Sequence, residues 1–216
     1  MHAISDDPVL RALEATALGA DITPTHTELL LDRAITFGLA GICVPLVDLM
    51  HLDRKGGIPD GLDKVTVANF PHGDLPGPEA LHVASRSLAS GADIVDLVFR
   101  RDRILAGDLP RRPAGQAIRV IFEVTAYRSE AEMMQAASIL VGRGYKDLKT
   151  STGYHPSQSC PAVEAVGLLR KHFGGAVTLK ASGKIRTRAQ AEALLEAGAD
   201  RLGASTIRAL APDGPA

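Results

Sequence analysis

Short apolar runs rich in β-branched residues alternate along this chain with longer stretches whose apolar positions recur every three to four residues. The short runs are GICVPL (41–46), KVTVANF (64–70), ADIVDLVF (92–99), AIRVIFEV (117–124), YKDLKTS (145–151), VTLKAS (177–182) and ADRLGAS (199–205). Each is bounded by glycine, proline or polar residues, which is the pattern of a buried strand. A weaker run near Leu18–Thr23 supplies an eighth. The longer stretches read as helices. THTELLLDRAITFG places Leu29, Leu30, Arg33, Ala34 and Phe37 at helical spacing and closes on Gly38. SEAEMMQAASILVGRG opens on Ser129 with Glu132 three residues on, a capping box. TRAQAEALLEAGA opens on Thr187 and ends at Gly198, and GPEALHVASRSLASGA ends the same way. A helix that stops at glycine just before a strand is the αβ-loop chemistry of a repeating β/α chain.

Strand starts lie roughly 20 to 32 residues apart, the length of a strand plus a crossover helix. Eight such units predict a (β/α)8 TIM barrel. An open doubly wound sheet has the same alternation, but no GxGxxG follows the first strand. No linker or change of composition divides residues 1–216, so a single barrel domain is expected. One unit is damaged. In RRDRILAGDLPRRPAGQ (100–116), Gly107, Pro110, Pro113 and Gly115 leave room for one or two helical turns, predicting a shortened fourth helix. Apolar strand surface would be bared there, so a homo-oligomeric contact around strands four and five is expected unless a loop covers it.

Composition removes several function classes. The formal net charge of -1 offers no basic field for nucleic acid. Tryptophan is absent and aromatics make up 4%, so base-stacking platforms are not expected. The two cysteines, Cys43 and Cys160, lie far apart, which argues against a disulfide scaffold or a zinc ribbon. The first residues are acidic and build no long apolar run, and no apolar stretch is long enough to span a membrane. A cytoplasmic location is expected.

Two segments carry the chemistry: DLKTSTGYHP (147–156) and LKASGKIRT (179–187). Each sends a lysine to the mouth of an apolar strand, where burial costs several kcal/mol unless compensated. A lone lysine at a strand end is ordinarily a solvated loop residue, but two in matched K-[TA]-S-[TG] settings are not. In a barrel the strand ends share one rim. That rim would gather Asp21 and Thr23, Cys43, Asn69-Phe70-Pro71-His72-Gly73, Asp96, Glu123, Lys149, Lys180 and Gly203-Ala204-Ser205. Two lysines about one aspartate leave an excess of positive charge, which together with burial lowers a lysine pKa. A neutral amine can then attack a carbonyl to form a Schiff base, the second lysine helping to keep the first unprotonated. Asp96 would support proton transfer. The small residues Thr152, Gly153, Ser182, Gly183, Gly203 and Ser205, with Lys184, form a rim suited to phosphate. Cys43 also reads as plain core, and Thr23 with Asp21 as only a turn. Glu123 is either catalytic or a hydrogen-bond partner of the lysines. His72 with Asp74 lacks a third ligand, so no metal is expected.

In their order, DIT, GICVP, NFPHG, GADIVDLV, IFEV, KTSTGY, KASGKIRT and GADRLGAS make the chain resemble the deoxyribose-phosphate aldolases, class I aldolases on a (β/α)8 barrel. The resemblance implies that Lys149 forms the Schiff base, Lys180 perturbs it and Asp96 relays protons. It also implies that the glycine-rich ends of strands seven and eight hold the substrate phosphate; Thr23 and Cys43, at the ends of strands one and two, are further expected substrate contacts. The implied reaction is reversible cleavage of 2-deoxyribose 5-phosphate to acetaldehyde and glyceraldehyde 3-phosphate, with no cofactor. The partners would then be a small aldehyde and a sugar phosphate. The chain departs from the family at Lys184, where a second glycine is usual, and at Arg100. It also ends in APDGPA without the C-terminal tyrosine of some members. Competing readings are a related lysine aldolase with a different or non-phosphorylated acceptor, and a non-catalytic sugar-phosphate-binding barrel.

Overall fold

The computed structural model describes residues 2–154, 163–208 and 210–211. Cys160 and most of the C-terminal APDGPA lie outside the described residues. Eight parallel strands close into a barrel in sequence order: β1 Leu13–Thr16, β2 Gly41–Cys43, β3 Asp63–Ala68, β4 Ile94–Val98, β5 Ile118–Ile121, β6 Asp147–Lys149, β7 Thr178–Ser182 and β8 Arg201–Ala204. Strand β1 pairs with β2 on one side and β8 on the other, so the barrel has no free edge. The helices are α1 Pro8–Ala12, α2 Pro24–Thr36, α3 Leu46–Arg54, α4 Gly77–Ala89, α5 Arg101–Leu105, α6 Glu130–Gly142, α7 Val163–Phe173 and α8 Arg188–Glu196. Among the described residues no helix follows β8. Instead α1 packs against β8 and α8, covering the seam from the N-terminal side.

The turn chemistry follows the sequence closely. Gly38, Gly91, Gly144 and Gly198 all take positive φ just past α2, α4, α6 and α8, the conformation glycine reaches without a Cβ penalty. Thr187 forms a full capping box with Gln190. At α6 only half the expected box forms. The Ser129 hydroxyl accepts from the Glu132 amide at 3.2 Å, while the Glu132 carboxylate turns to the Arg101 guanidinium at 2.6 Å.

Two expectations need correction. The first strand lies at Leu13–Thr16, not near Leu18–Thr23. The sequence around it, LRALEAT, is composed of good helix formers, and its strand state comes from closing the barrel rather than from local propensity. The shortened helix after β4 is present as the five-residue α5, yet the segment covers its own sheet. Ile104 and Leu109 are buried in the core. Arg143 donates to the carbonyls of Gly107 and Leu109 at 2.7 and 2.9 Å, and Arg112 donates to the Gly144 carbonyl at 2.7 Å. These arginine clamps complete the cover that the short α5 begins, so among the described residues the bared strand surface from which a subunit contact was expected is not seen. The larger exposed apolar side chains include Leu29, Val47 and Met50, on α2 and α3. No helix among the described residues is long and apolar enough to cross a membrane.

Candidate active site

Lys149 on β6 and Lys180 on β7 stand side by side in the ladder, and Asp96 on β4 and Arg119 on β5 do likewise. All four are buried, as is Glu14 on β1. Their side chains meet inside the barrel. The Lys149 and Lys180 ammonium groups donate to the same Asp96 Oδ2, at 2.8 and 3.0 Å. Lys180 also donates to Glu14 Oε2. Arg119 spans both carboxylates, meeting Glu14 with two bonds of 3.0 Å and Asp96 Oδ1 with one of 3.1 Å. Gly203 on β8 leaves room for this arrangement, since a Cβ there would lie 2.9 Å from Lys180 Cε.

Fully ionised, the cluster holds three cations and two anions, and losing one proton makes it neutral. Burial would raise the Asp96 carboxyl, but Lys149, Lys180 and Arg119 outweigh that and hold it far below the usual carboxylate range. Glu14 is likewise held down, against burial, by Arg119 and Lys180. Burial would lower Lys180, but Asp96 and Glu14 together hold its ammonium above the ordinary lysine value. The expected depression therefore does not apply to Lys180, because a second carboxylate balances it. Among the described residues Lys180 is gripped by both carboxylates and Lys149 by Asp96.

A cavity of about 400 Å³ opens at the C-terminal mouth above this cluster, and Lys149 lies in its wall. Of the residues predicted to contact substrate, Thr152, Gly153, Ser182, Gly183, Lys184, Gly203 and Ser205 line the same cavity. Cys43 does not; it is fully buried in β2, where burial pushes its thiol up. Thr23 does not either. It caps α2, exchanging hydrogen bonds with His26, because β1 ends seven residues earlier than the motif DIT suggested. Thr16, at the true end of β1, lines the cavity instead. Asp21 is exposed in the following loop.

The hydroxyls of the β6 and β7 ends brace the rim. Thr150 Oγ1 donates to the Ser182 carbonyl at 3.1 Å and accepts from its amide at 3.0 Å, and Ser182 Oγ donates to the Ser151 carbonyl at 2.6 Å. Glu123 accepts from the Thr152 amide at 2.5 Å. Asn69, Glu123 and Lys184 take left-handed φ of 55°, 51° and 56°, each within two residues of the end of an odd-numbered strand. Such a conformation costs a non-glycine residue roughly 1–2 kcal/mol. At Asn69 its own side chain compensates, donating to the Val98 carbonyl at 3.0 Å and accepting from the Leu75 amide at 2.9 Å. Lys184 keeps the turn a glycine would make while adding a cation to the rim.

Sequence reasoning missed Glu14 and Arg119. Arg119 left a signal, an arginine inside the apolar run AIRVIFEV, where an unpaired charge would be prohibitive. Glu14 left none, because its surroundings read as helix. Among the described residues no three His, Cys, Asp or Glu side chains converge as a metal-binding set.

Fold and site define a (β/α)8 barrel with a buried two-lysine, two-carboxylate centre opening at its C-terminal mouth. No family model matches the chain. A curated relative, the deoxyribose-phosphate aldolase of Corynebacterium glutamicum, is 33% identical over 225 residues, covering 98% of this chain and 99% of that protein. Among solved structures, the aldolase QR15 is 25% identical with a TM-score of 0.82, covering 97% of this chain and 96% of the other. The tetrameric deoxyribose phosphate aldolase of Aeropyrum pernix is 22% identical with a TM-score of 0.77, covering 94% and 89%. The chain belongs to the deoxyribose-phosphate aldolase family, whose members are lyases.

Proposed function

We propose that the protein cleaves 2-deoxyribose 5-phosphate reversibly to acetaldehyde and glyceraldehyde 3-phosphate through a Schiff base on Lys149. The observation that carries this reading is the unequal placement of the two lysines. Lys149 borders the open cavity, whereas Lys180 is fully buried between two carboxylates. With Lys180 held as the cation, the cluster is charge-balanced when Lys149 is the neutral amine, the form that attacks a carbonyl carbon. Loss of water from the adduct gives an iminium. Its positive nitrogen accepts the electron pair of the C2–C3 bond as the C3 hydroxyl gives up its proton, directly or through water, to Asp96. The C3–C5 fragment leaves as glyceraldehyde 3-phosphate, the resulting enamine takes up a proton at C2 to give an iminium, and hydrolysis of that iminium releases acetaldehyde and restores the amine. Lys180 shares the Asp96 oxygen that Lys149 contacts and keeps that carboxylate ionised.

The far end of the cavity suits the phosphate. Gly153, Gly183, Gly203 and Ser205 let the chain approach closely, and Lys184 and Arg186 add positive charge. Because Lys184 retains the left-handed turn, its side-chain charge adds to backbone recognition. The test compares kcat/KM for 2-deoxyribose 5-phosphate and 2-deoxyribose in the wild type and in Lys184→Gly. A strong preference for the phosphate in the wild type, reduced by the substitution and weakened by salt, is expected. No preference in the wild type contradicts the phosphate assignment. Activity retained in Lys149→Met contradicts the mechanism.

A further inference from the structure

Past Ile121 the chain that leaves β5 stays bonded to the end of β6. The Phe122 amide donates to the Lys149 carbonyl at 3.3 Å, and the Val124 amide donates to the Thr150 carbonyl at 2.9 Å. Glu123, between them, takes φ of 51° and ψ of 69°. A left-handed glutamate is uncommon, because its Cβ crowds the following carbonyl, and glycine or asparagine takes that conformation at lower cost. A glutamate kept at such a position points to a use for its side chain.

That side chain reaches the neighbouring strand end. Glu123 Oε1 accepts from the Thr152 amide at 2.5 Å. Glycine offers no side-chain acceptor, and asparagine, a methylene shorter, reaches less far. From the β7 side the same segment is held by the Thr150 amide, which donates to the Lys180 carbonyl at 3.0 Å, and by Ser182 Oγ, which donates to the Ser151 carbonyl at 2.6 Å. The stretch that leads from Lys149 to Thr152 is thus gripped on both flanks, and Glu123 supplies the outermost grip on the β5 side.

Thr152 is what this grip holds still. Its hydroxyl oxygen accepts from the Tyr154 amide at 3.1 Å, which leaves the hydroxyl proton for another partner. Thr152 lines the cavity at Lys149, whereas Glu123 lines an adjoining cavity of about 560 Å³ and not that one. Glu123 therefore stands behind the substrate's place and acts through Thr152. Thr152, Gly183 and Ser205 all lie past the ends of their strands, outward of Lys149. The substrate carbons on the phosphate side of the breaking bond pass Thr152, while the two carbons joined to Lys149 lie deeper.

We propose that Glu123 is a positioning residue for the aldol step, fixing the Thr152 hydroxyl against the C3–C5 half of the substrate. The proposal rests on the aldolase reading above.

The experiment compares Glu123→Gln, Glu123→Ala and Glu123→Gly by cleavage of 2-deoxyribose 5-phosphate, by borohydride labelling of Lys149 with acetaldehyde alone, and by the urea midpoint. Glutamine keeps a side-chain oxygen at the same reach and is expected to stay within about threefold of the wild-type kcat/KM. Alanine and glycine remove the acceptor, and both are expected to lose about tenfold or more, since a small displacement of a positioned group costs rate steeply. Glycine also releases the strained turn, so Glu123→Gly should unfold at higher urea than Glu123→Ala while cleaving no faster. Labelling by acetaldehyde, which lacks the C3–C5 half, should match the wild type in every variant. Cleavage near the wild-type rate in Glu123→Gly overturns the proposal. So does a loss in Glu123→Gln equal to that in Glu123→Gly, or labelling that falls in step with cleavage. Should Glu123→Ala fail to fold, Glu123→Gly and Glu123→Gln carry the same contrast. Labelling of the wild type keeps the two levels apart. A labelled wild type with undiminished cleavage in Glu123→Gly removes the role of Glu123 alone, and no label removes the aldolase reading with it.

Discussion

Replacing Lys180 with methionine tests the charge balance on which the lysine assignment rests. Methionine keeps an unbranched chain beside Gly203 and removes the ammonium shared by Glu14 and Asp96. The remaining cluster holds two anions, Arg119 and Lys149, so it is balanced only when Lys149 carries its proton. Two nitrogens that share one acceptor oxygen at 2.8 and 3.0 Å lie within about 6 Å of one another. At an effective dielectric of about 20, repulsion across that distance is about 3 kcal/mol, or roughly a hundredfold in the fraction of reactive amine. The variant is therefore expected to cleave substrate about a hundredfold more slowly at neutral pH. The loss should ease as pH rises, giving partial recovery of rate at high pH. The assay is steady-state cleavage of 2-deoxyribose 5-phosphate from pH 5 to 10, with circular dichroism to confirm the fold. A wild-type rate with an unmoved profile refutes the reasoning, and so does a uniform loss at every pH.

Gly203→Ala would place a Cβ 2.9 Å from Lys180 Cε and 3.2 Å from Ser182 Cβ, so it is expected to lower kcat at least tenfold while the circular dichroism spectrum stays native. Glu14→Gln strips a partner from Arg119 and Lys180 and should destabilise the fold by about 3–5 kcal/mol in denaturant unfolding, and a loss below about 1 kcal/mol would contradict the buried network. Glu14 and Asp96 are held below their ordinary values of 4.5 and 3.8, so their stabilisation is complete above about pH 4.5 and is lost as pH falls through the folded-state values. Lys180 runs the other way, its contribution full below about pH 10.5 and lost at higher pH. The alkaline fall in the urea midpoint should accordingly be shallower in Lys180→Met.

What the sequence made legible follows from where each element gets its stability. Strands such as ADIVDLVF and helices closed by Gly91 or Gly198 announce themselves locally, and they appear where the pattern put them. Lys149, Lys180 and Asp96 were legible because a charge in an apolar strand needs a partner, and the three do meet. Strand β1 was not legible, since Leu13–Thr16 is held by pairing to both neighbours rather than by its own propensity. That one displacement hid Glu14 and Thr16 and misplaced Thr23 at the site. The proline-broken segment after β4 misled differently. Its helix is short as expected, but the covering comes from Arg112 and Arg143 bonding to backbone carbonyls, a long-range arrangement no local pattern displays.

Peptide mass mapping after borohydride reduction in the presence of acetaldehyde tests the Schiff-base centre most directly. Reduction fixes the iminium as a stable ethyl adduct on the lysine that formed it. The expected result is one adduct on the peptide carrying Lys149, absent from Lys149→Met. An adduct on Lys180 would reverse the assigned roles of the two lysines, and no adduct on either would contradict the covalent mechanism.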